Sequence, residues 1–502
     1  MLAPFSARTP ERTREIQLGL LASASLLIYT LALVLPYSLL EFWDTPELTI
    51  AKITRGDWHA GAAYVIAFIA LFAAYLSAAL LTRSHQSVTM WRVVIIGALA
   101  FNLVMLFLYT VDSVDIFDNI IRGRMQALYH ANPFYDTPVQ FSSDPFHRYN
   151  AWDYIPSAYG PGWETLAALA ALVAGDSVVA NVLAFKLVSL IAYVATAVVI
   201  AVTLRRIAPH RTLFGVTLFA WNPLAIFVIA GNGHNDAVMV FFLALGFLFL
   251  ARKNFSLAVL AEMLGALVKF IPILLVPLLM LAGIKHLHAW QARIRFVVLT
   301  TVACIVMTIL AYAPYWHDDD VLGSKWRSGN FTTSLPTLIQ VSLIPALGKD
   351  VANELVSRAA LVVMALWVAH EARLVWRHSD PNQIVRSSLS ILIFYLLIAC
   401  LWVQAWYALW LLPLVALASD DWLTHGALLI SFFFAMKMPF FDFVMGVNDT
   451  NLPSRAIREW QITLLTLAPL WIYFLWKGLV IKWKMRFWLS PNSQLPDKPK
   501  PV

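Results

Sequence analysis

The residues best suited to do chemistry in this chain stand in polar islands between long apolar stretches. The richest island runs Asp112-Ser113-Val114-Asp115-Ile116-Phe117-Asp118-Asn119-Ile120-Ile121-Arg122-Gly123-Arg124. At helical period Asp115, Asp118, Asn119 and Arg122 share one face, while Phe117, Ile120, Ile121, Met125 and Leu128 share the other. The pattern predicts an amphipathic helix lying on a membrane surface with its carboxylates toward water. Asp118 and Arg122, at i and i+4, are spaced to pair. That leaves Asp115 without a cation on its own helix. An unpaired carboxylate at such a surface suits a general base, which takes the proton of a hydroxyl as that hydroxyl attacks. A simply solvated polar face accounts for the same spacing, and both readings stay open at this point.

Further islands add other chemistry. Asn132-Pro133-Phe134-Tyr135 follows the first, nine aromatics lie from Phe134 to Trp163, and the run closes on Tyr159-Gly160-Pro161-Gly162-Trp163-Glu164. Aromatic faces stack on sugar C–H faces, and Trp and Tyr equally form belts at headgroup depth. Trp221-Asn222-Pro223 and Gly231-Asn232-Gly233-His234-Asn235-Asp236 form a tight turn into an apolar stretch. Capping explains Asp236 at the head of that helix, but leaves His234 and Asn235 beside it unexplained. Lys269, in Leu267-Val268-Lys269-Phe270-Ile271-Pro272, is enclosed by apolar residues. A lysine at a bilayer centre costs roughly 2.5–3.5 kcal/mol and marks a functional site by default. If the chain turns at the proline, its ammonium can hold a phosphate; snorkelling to headgroups is the other reading. A run His317-Asp318-Asp319-Asp320 with Lys325 and Arg327, and the turn Gln404-Ala405-Trp406-Tyr407, complete the polar set. Lys285-His286-Leu287-His288 supplies too few ligands for a metal.

The elements that must position these residues follow from composition. Of 502 residues 60% are hydrophobic and 13% charged, against roughly 45–50% and about 25% in soluble domains. That excludes a soluble multidomain protein, disorder and a disulfide scaffold. The apolar blocks, about 14–27 residues long, predict an all-α polytopic membrane protein with about 10–14 transmembrane helices. The expected spans lie near 17–40, 61–81, 93–110, 178–204, 212–230, 235–251, 255–268, 270–284, 296–314, 354–372, 387–403, 406–419, 426–441 and 461–480, the first read as uncleaved. The stretch 162–175 is too short to cross and reads as a re-entrant or interfacial helix. Cys304 and Cys400 fall in spans and are expected to pack unpaired. The chain is thus read as one membrane unit over 1–502, with outer loops at 111–161 and 315–353 and a disordered tail at 487–502.

Basic residues set the orientation. Arg8, Arg12 and Arg14, the loops with Arg83/Arg92, Arg205/Arg206/Arg211, Arg252/Lys253, Lys285/Arg293/Arg295 and Arg373/Arg377/Arg386, and the tail fall on one side, outnumbering the other by roughly two to one. This predicts cytoplasmic termini and gathers the polar islands outside. The net charge of +7 is explained by this placement and implies no nucleic-acid partner.

Taken in order, Asp115-Ile116-Phe117 through Gly123-Arg124, Asn132-Pro133-Phe134, Tyr159-Gly160-Pro161, the 231–236 turn and Val268-Lys269-Phe270-Ile271-Pro272 resemble the C-type glycosyltransferase superfamily. The likeness is to bacterial polyprenyl-phosphate-mannose-dependent α-mannosyltransferases, akin to glycosyltransferase family 87, and spans about 109–413. The resemblance implies a GT-C-like membrane fold with amphipathic helices in the first large outer loop and an extracytoplasmic active site. It implies inverting transfer of a hexose, mannose first, from a polyprenyl-phosphate sugar to a glycan or glycolipid acceptor in a bacterial plasma membrane. Asp115 corresponds to the family's catalytic base and Asp236 to a second acid. His234, Asn235, Arg124, Tyr159, Lys269 and Arg327 are expected to bind substrate. No cofactor is expected and no metal site is assigned. Two departures stand out: Val114 precedes Asp115 where relatives often carry an acid, and Arg122 stands where they carry one. The rival class, a transporter or lipid flippase, would show repeat-related polar residues at mid-membrane, and the sequence has no such repeat.

Overall fold

The structure, a computed structural model, describes residues 9–46, 49–316, 330–378, 380–445 and 455–488. It is built from helices; among the described residues, extended pairing is limited to the isolated bridges Ser38–Leu108 and Thr332–Trp402. Nine helices of the described residues are long and apolar enough to cross a bilayer, and the bent pair Pro209–Ala220 and Pro223–Gly231, kinked by 49°, has the length of a tenth, as either a broken span or a re-entrant loop. Many carry their apolar side chains outward: Leu310 is 67% exposed on Trp290–Tyr312 and Leu361 71% on Lys349–Arg377. Such surfaces are excluded from water-soluble monomers and are covered in lipid. The chain is an all-α polytopic membrane protein.

Four stretches expected as spans are shorter: Asp236–Ala251, Phe255–Ala266, Val276–His286 and Ala405–Leu417. Lys269 and Pro272 divide the second from the third, so the chain turns where the proline indicated. The stretch near 162–175 is a 14-residue helix, Pro161–Ala174. The second outer loop is described only at its edges, with the helix Leu335–Leu347 on its far side. His317, Asp318, Asp319, Asp320, Lys325 and Arg327 lie outside the described residues. The helix Arg455–Trp488 enters the stretch expected to be a tail, and 489–502 lie outside the described residues.

The helix Val178–Ile207 carries the long axis, about 45 Å at 1.5 Å per residue. Near one end Lys186 Nζ donates to the carbonyls of Leu106 and Leu108, and Ser189 Oγ donates to Gly233 O at 3.3 Å. These bonds hold the entrance to the Asp112–Asp115 loop and the 231–236 turn on one helix. At the other end Arg206 donates to Ala251 O, and the basic loops are stitched together by Arg83–Asp420 and Arg386–Asp421 pairs and by Lys285 donating to Arg377 O. The polar islands and the basic loops therefore sit at opposite ends of the bundle.

Candidate active site

The helix Asp115–Tyr129 starts where Ser113 Oγ accepts from Asp115 N at 3.1 Å. Its apolar face packs inward, with Phe117 stacked on Tyr149 at 4.6 Å. Its polar face is not turned to water as the periodicity predicted. Asp118, Asn119, Arg122 and Arg124 are all buried, because Pro161–Ala174 and the 144–159 segment cover that side and satisfy the polar groups. The i, i+4 pair forms, with Arg122 on Asp118 at 2.9 Å. Arg122 also donates to Ile155 O at 2.9 Å, fixing the wall that carries Tyr159. Asn119 Oδ1 accepts from Trp163 Nε1 at 2.7 Å.

These walls enclose a cavity of about 670 Å³. Asp115, Tyr159 and Lys269 line it, with Trp406, Tyr407 and Trp410 from the turn after Gln404. Tyr159 Oη stands 3.5 Å from Asp115 Oδ2. Burial, reinforced by the charges of Asp115 and Asp118, pushes the Tyr159 phenol well above its ordinary pKa, so it stays protonated and donates toward Asp115.

The second acid and the lysine meet. Lys269 Nζ donates to Asp236 at 2.9 and 3.0 Å, and Trp410 Nε1 donates to the same carboxylate. The ammonium also lies over Tyr407, 4.8 Å from the ring centre. Lys269 reaches this place because Gly160 N donates to Val268 O (3.0 Å) and Gly162 N to Leu267 O (2.9 Å), docking the Tyr159–Gly162 motif on the turn before Lys269. Only glycine fits at 160: a Cβ there would sit 2.1 Å from Leu267 O.

Three expected substrate contacts do not line the cavity. Arg124 is a structural tie: it bonds Asp144 at 2.8 Å, Asp176 at 2.9 Å and Gly175 O at 2.8 Å, and lies over Phe146. His234 and Asn235 lie behind the wall; His234 stacks on Trp406 at 4.0 Å and its Nε2 is 3.6 Å from Asp112 Oδ2.

Five charged lining residues escaped the sequence reading as site residues: Asp112, Asp118, Arg122, Lys437 and Asp442. Lys437 and Asp442, on Trp422–Met445, lie five apart, and a charged pair inside an apolar stretch was the available signal. Among the described residues no group of three or more His, Cys, Asp or Glu side chains is arranged to hold a metal.

The cavity is also walled by Ile271, Leu274, Ala360, Leu361 and Met364. Leu361 is also among the most outward-facing residues of its spanning helix. The cavity thus runs from a charged pole to the surface that faces lipid.

A family model described as alpha-(1->6)-mannopyranosyltransferase, N-terminal domain, matches residues 16–285, more than half of the chain. Alpha-(1->6)-mannopyranosyltransferase B of Corynebacterium glutamicum is 33% identical over 97 residues, which cover 19% of this chain and 16% of that protein. No solved structure matches the chain.

Proposed function

The chain belongs to the alpha-(1->6)-mannopyranosyltransferase family, and from that membership we propose that it moves mannose from a polyprenyl-phosphate donor to an acceptor hydroxyl of a glycan or glycolipid. Transfer takes place at the extracytoplasmic face of a bacterial plasma membrane, with the active site outside and both termini in the cytoplasm. The observation that carries this reading is the cavity itself, whose one end holds Asp115 and Lys269 and whose other end reaches the lipid-facing side of Lys349–Arg377. A soluble nucleotide sugar needs no apolar wall. A sugar phosphate on a polyprenyl chain needs both ends at once.

In this mechanism Asp115 accepts the proton of the acceptor hydroxyl as its oxygen bonds to the anomeric carbon of mannose. The bond from that carbon to the phosphate oxygen breaks, and the pair leaves with the polyprenyl phosphate. One displacement inverts the centre, so no covalent enzyme intermediate is needed. Lys269 faces the developing phosphate charge, where a preorganised donor acts most strongly. Asp236 is a positioning acid: with Trp410 it fixes the ammonium while a third N–H remains for phosphate. Tyr159 orients Asp115, and Arg327 is a second cation for the phosphate. His234 and Asn235 support the sugar-facing wall from behind.

The test is transfer by the purified protein in lipid nanodiscs with a donor panel: polyprenyl-phosphate mannose, its glucose, galactose and arabinose counterparts, and a nucleotide-linked mannose. Consumption of the mannose lipid alone is expected. Direct use of the nucleotide sugar, or indifference to every lipid donor, would overturn the reading.

A further inference from the structure

The stretch that carries Trp402 and Gln404 into the cavity is held by neighbours distant in sequence. Thr332 N donates to Leu401 O and Val403 N to Thr332 O, both at 3.1 Å, which makes the parallel bridge between Thr332 and Trp402. Ser334 Oγ and Thr337 Oγ1 donate to the same Leu401 O at 3.0 and 3.3 Å. The 331–334 strip is fixed in turn by Glu459, which is 3% exposed and stands on Arg455–Trp488, a helix that does not line the cavity. Its carboxylate accepts from Thr333 N at 3.0 Å and from Thr332 Oγ1 at 3.2 Å. One turn earlier on that helix Arg455 donates to Phe331 O at 3.4 Å. Thr333 has a φ of 49°, in the left-handed region, which a β-branched residue keeps only where its surroundings hold it there. Glu459 supplies that hold.

We propose that Trp402 and Gln404 form the wall of the cavity that binds the acceptor sugar, and that Glu459 is the residue that positions this wall. The proposal rests on the transferase reading of the same cavity and adds to it where the acceptor lies and what places its contacts. Lys437 Nζ, which can only donate, reaches Val403 O at 2.7 Å and Gln404 Oε1 at 2.8 Å. The Gln404 amide is thereby oriented with its oxygen on Lys437. Its Nε2 keeps two donors that meet no acceptor among the described residues, and Gln404 is half-buried on the cavity. Trp402 is also half-buried and packs edge-on against Trp152, with ring centres 6.1 Å apart. Such ring faces suit the C–H faces of a pyranoside.

The chemistry of this wall selects its ligand. Trp152, Asn330, Trp402 and Gln404 are uncharged, and all four line the cavity. They suit a neutral ring that carries hydroxyls, whereas the donor phosphate is served by Lys269. Trp152 and Asn330 stand in segments between the spanning helices, the side from which a glycan arrives through water. The donor comes instead through lipid, by its polyprenyl chain. Glu459 does not line the cavity; it acts on the sugar through the register of 331–334 on 401–403.

The experiment joins binding to kinetics. An α-1,6-linked mannose disaccharide is titrated against the full-length protein in nanodiscs, read by saturation-transfer NMR, and acceptor and donor KM values are measured beside it. Trp402→Ala and Gln404→Leu should each weaken disaccharide binding about three- to tenfold. Glu459→Ala, which releases both side chains, should weaken it about tenfold or more. The acceptor KM should rise in step, with kcat and the donor KM within about twofold of wild type. Glu459→Gln keeps an acceptor for Thr333 N and should stay close to wild type. Thr333→Gly added to Glu459→Ala should recover much of the affinity, since glycine enters the left-handed region without being held. On a Trp402→Ala, Gln404→Leu background, Glu459→Ala should add nothing. If Glu459→Ala does not fold, Glu459→Asp, whose shorter side chain also draws back from the strip, carries the same comparisons. Wild-type affinity in Trp402→Ala and Gln404→Leu, a Glu459 effect confined to kcat or melting temperature, equal loss of donor binding, or a Glu459 effect that persists in full on the double background would each overturn the proposal. Disaccharide binding that depends on Trp402 and Glu459 in a protein that transfers no mannose would uphold the wall and sink the transferase reading.

Discussion

Four carboxylates near the cavity are told apart by what holds them. Asp118 is tied to Arg122, Asp236 to Lys269 and Trp410, and Asp112 is buried against His234, whose Nε2 lies 3.6 Å from it. Among the described residues, the contact that orients the Asp115 oxygens is the Tyr159 hydroxyl, 3.5 Å from Oδ2. The proposed mechanism makes Asp115 the base. Asp115→Asn keeps the shape and removes the base, so the turnover number should fall by about 10²–10⁴ with melting temperature and donor binding unchanged. Asp118→Asn should act differently, since an uncompensated buried Arg122 costs about 3–5 kcal/mol; a lower melting temperature is the expected signature. Normal turnover in Asp115→Asn beside a stable but dead Asp118→Asn would move the base one helical turn along. Lys269→Ala should both raise the donor KM and destabilise the fold by stranding Asp236, whereas Lys269→Arg retains partial activity. Adding Asp236→Asn to Lys269→Ala should recover stability but not activity; recovery of neither would show that the pair is not what buries Asp236 safely. Asp115, Tyr159, Lys269 and Asp236 stand out in the sequence because a polar residue in an apolar neighbourhood is visible in one dimension, and the structure brings the first three to one cavity with Asp236 on Lys269. The place of Arg124 away from the cavity was not legible, because the acids that hold it, Asp144 and Asp176, are 20 and 52 residues away and no local spacing announces them.

The same limit applies to secondary structure. Helical period correctly grouped Asp115 with Asp118 and Arg122, but it says which residues share a face and not what covers that face. In a soluble protein the polar face of such a helix meets water. Here a second short helix, Pro161–Ala174, lies so close that a Cβ on Gly123 would sit 2.4 Å from Ala167 O. Its first turn supplies Glu164, which accepts from Gln126 at 3.0 Å and from Ser157. The polar face is consumed by partners brought in from about forty residues downstream. Short elements were blurred for a related reason: hydropathy reports apolar length, and the break at Lys269 is set by the docking of Gly160 and Gly162. That docking is testable. Gly160→Ala must displace the 267–269 turn, and overpacking of this kind costs about 1–3 kcal/mol. The expected result is a lower melting temperature together with a raised donor KM, because Lys269 moves with the turn, while the turnover number at saturating donor is little changed. A Gly160→Ala protein with wild-type stability and donor KM would show that the motif is not what places the lysine.

The arrangement across the bilayer is where charge counting and structure speak to each other. The sequence assigned basic loops to one side by the bias that cytoplasmic loops carry Lys and Arg; it had no means of knowing that those loops touch. The structure joins them: Arg83, Arg206, Lys285 and Arg386 all make contacts that tie one loop to another at the same end of the bundle. The cavity lies at the other end. On Val178–Ile207 the cavity-side Lys186 and the basic Arg206 are about 30 Å apart at 1.5 Å per residue, the thickness of a hydrocarbon core. With the basic end in the cytoplasm, as proposed, the cavity end lies outside, where the proposed lipid-linked donor would be met. Cysteine labelling decides it. In a background carrying Cys304→Ala and Cys400→Ala, Ser142→Cys and His210→Cys each present an exposed position, one just before the 144–159 wall segment and one in the basic end. An impermeant maleimide added to intact cells should label Ser142→Cys and leave His210→Cys unreacted until the membrane is opened. The reverse pattern would turn the molecule over and put Asp115 in the cytoplasm. A nucleotide sugar would then be within reach, and the lipid-facing wall of the cavity would need another explanation.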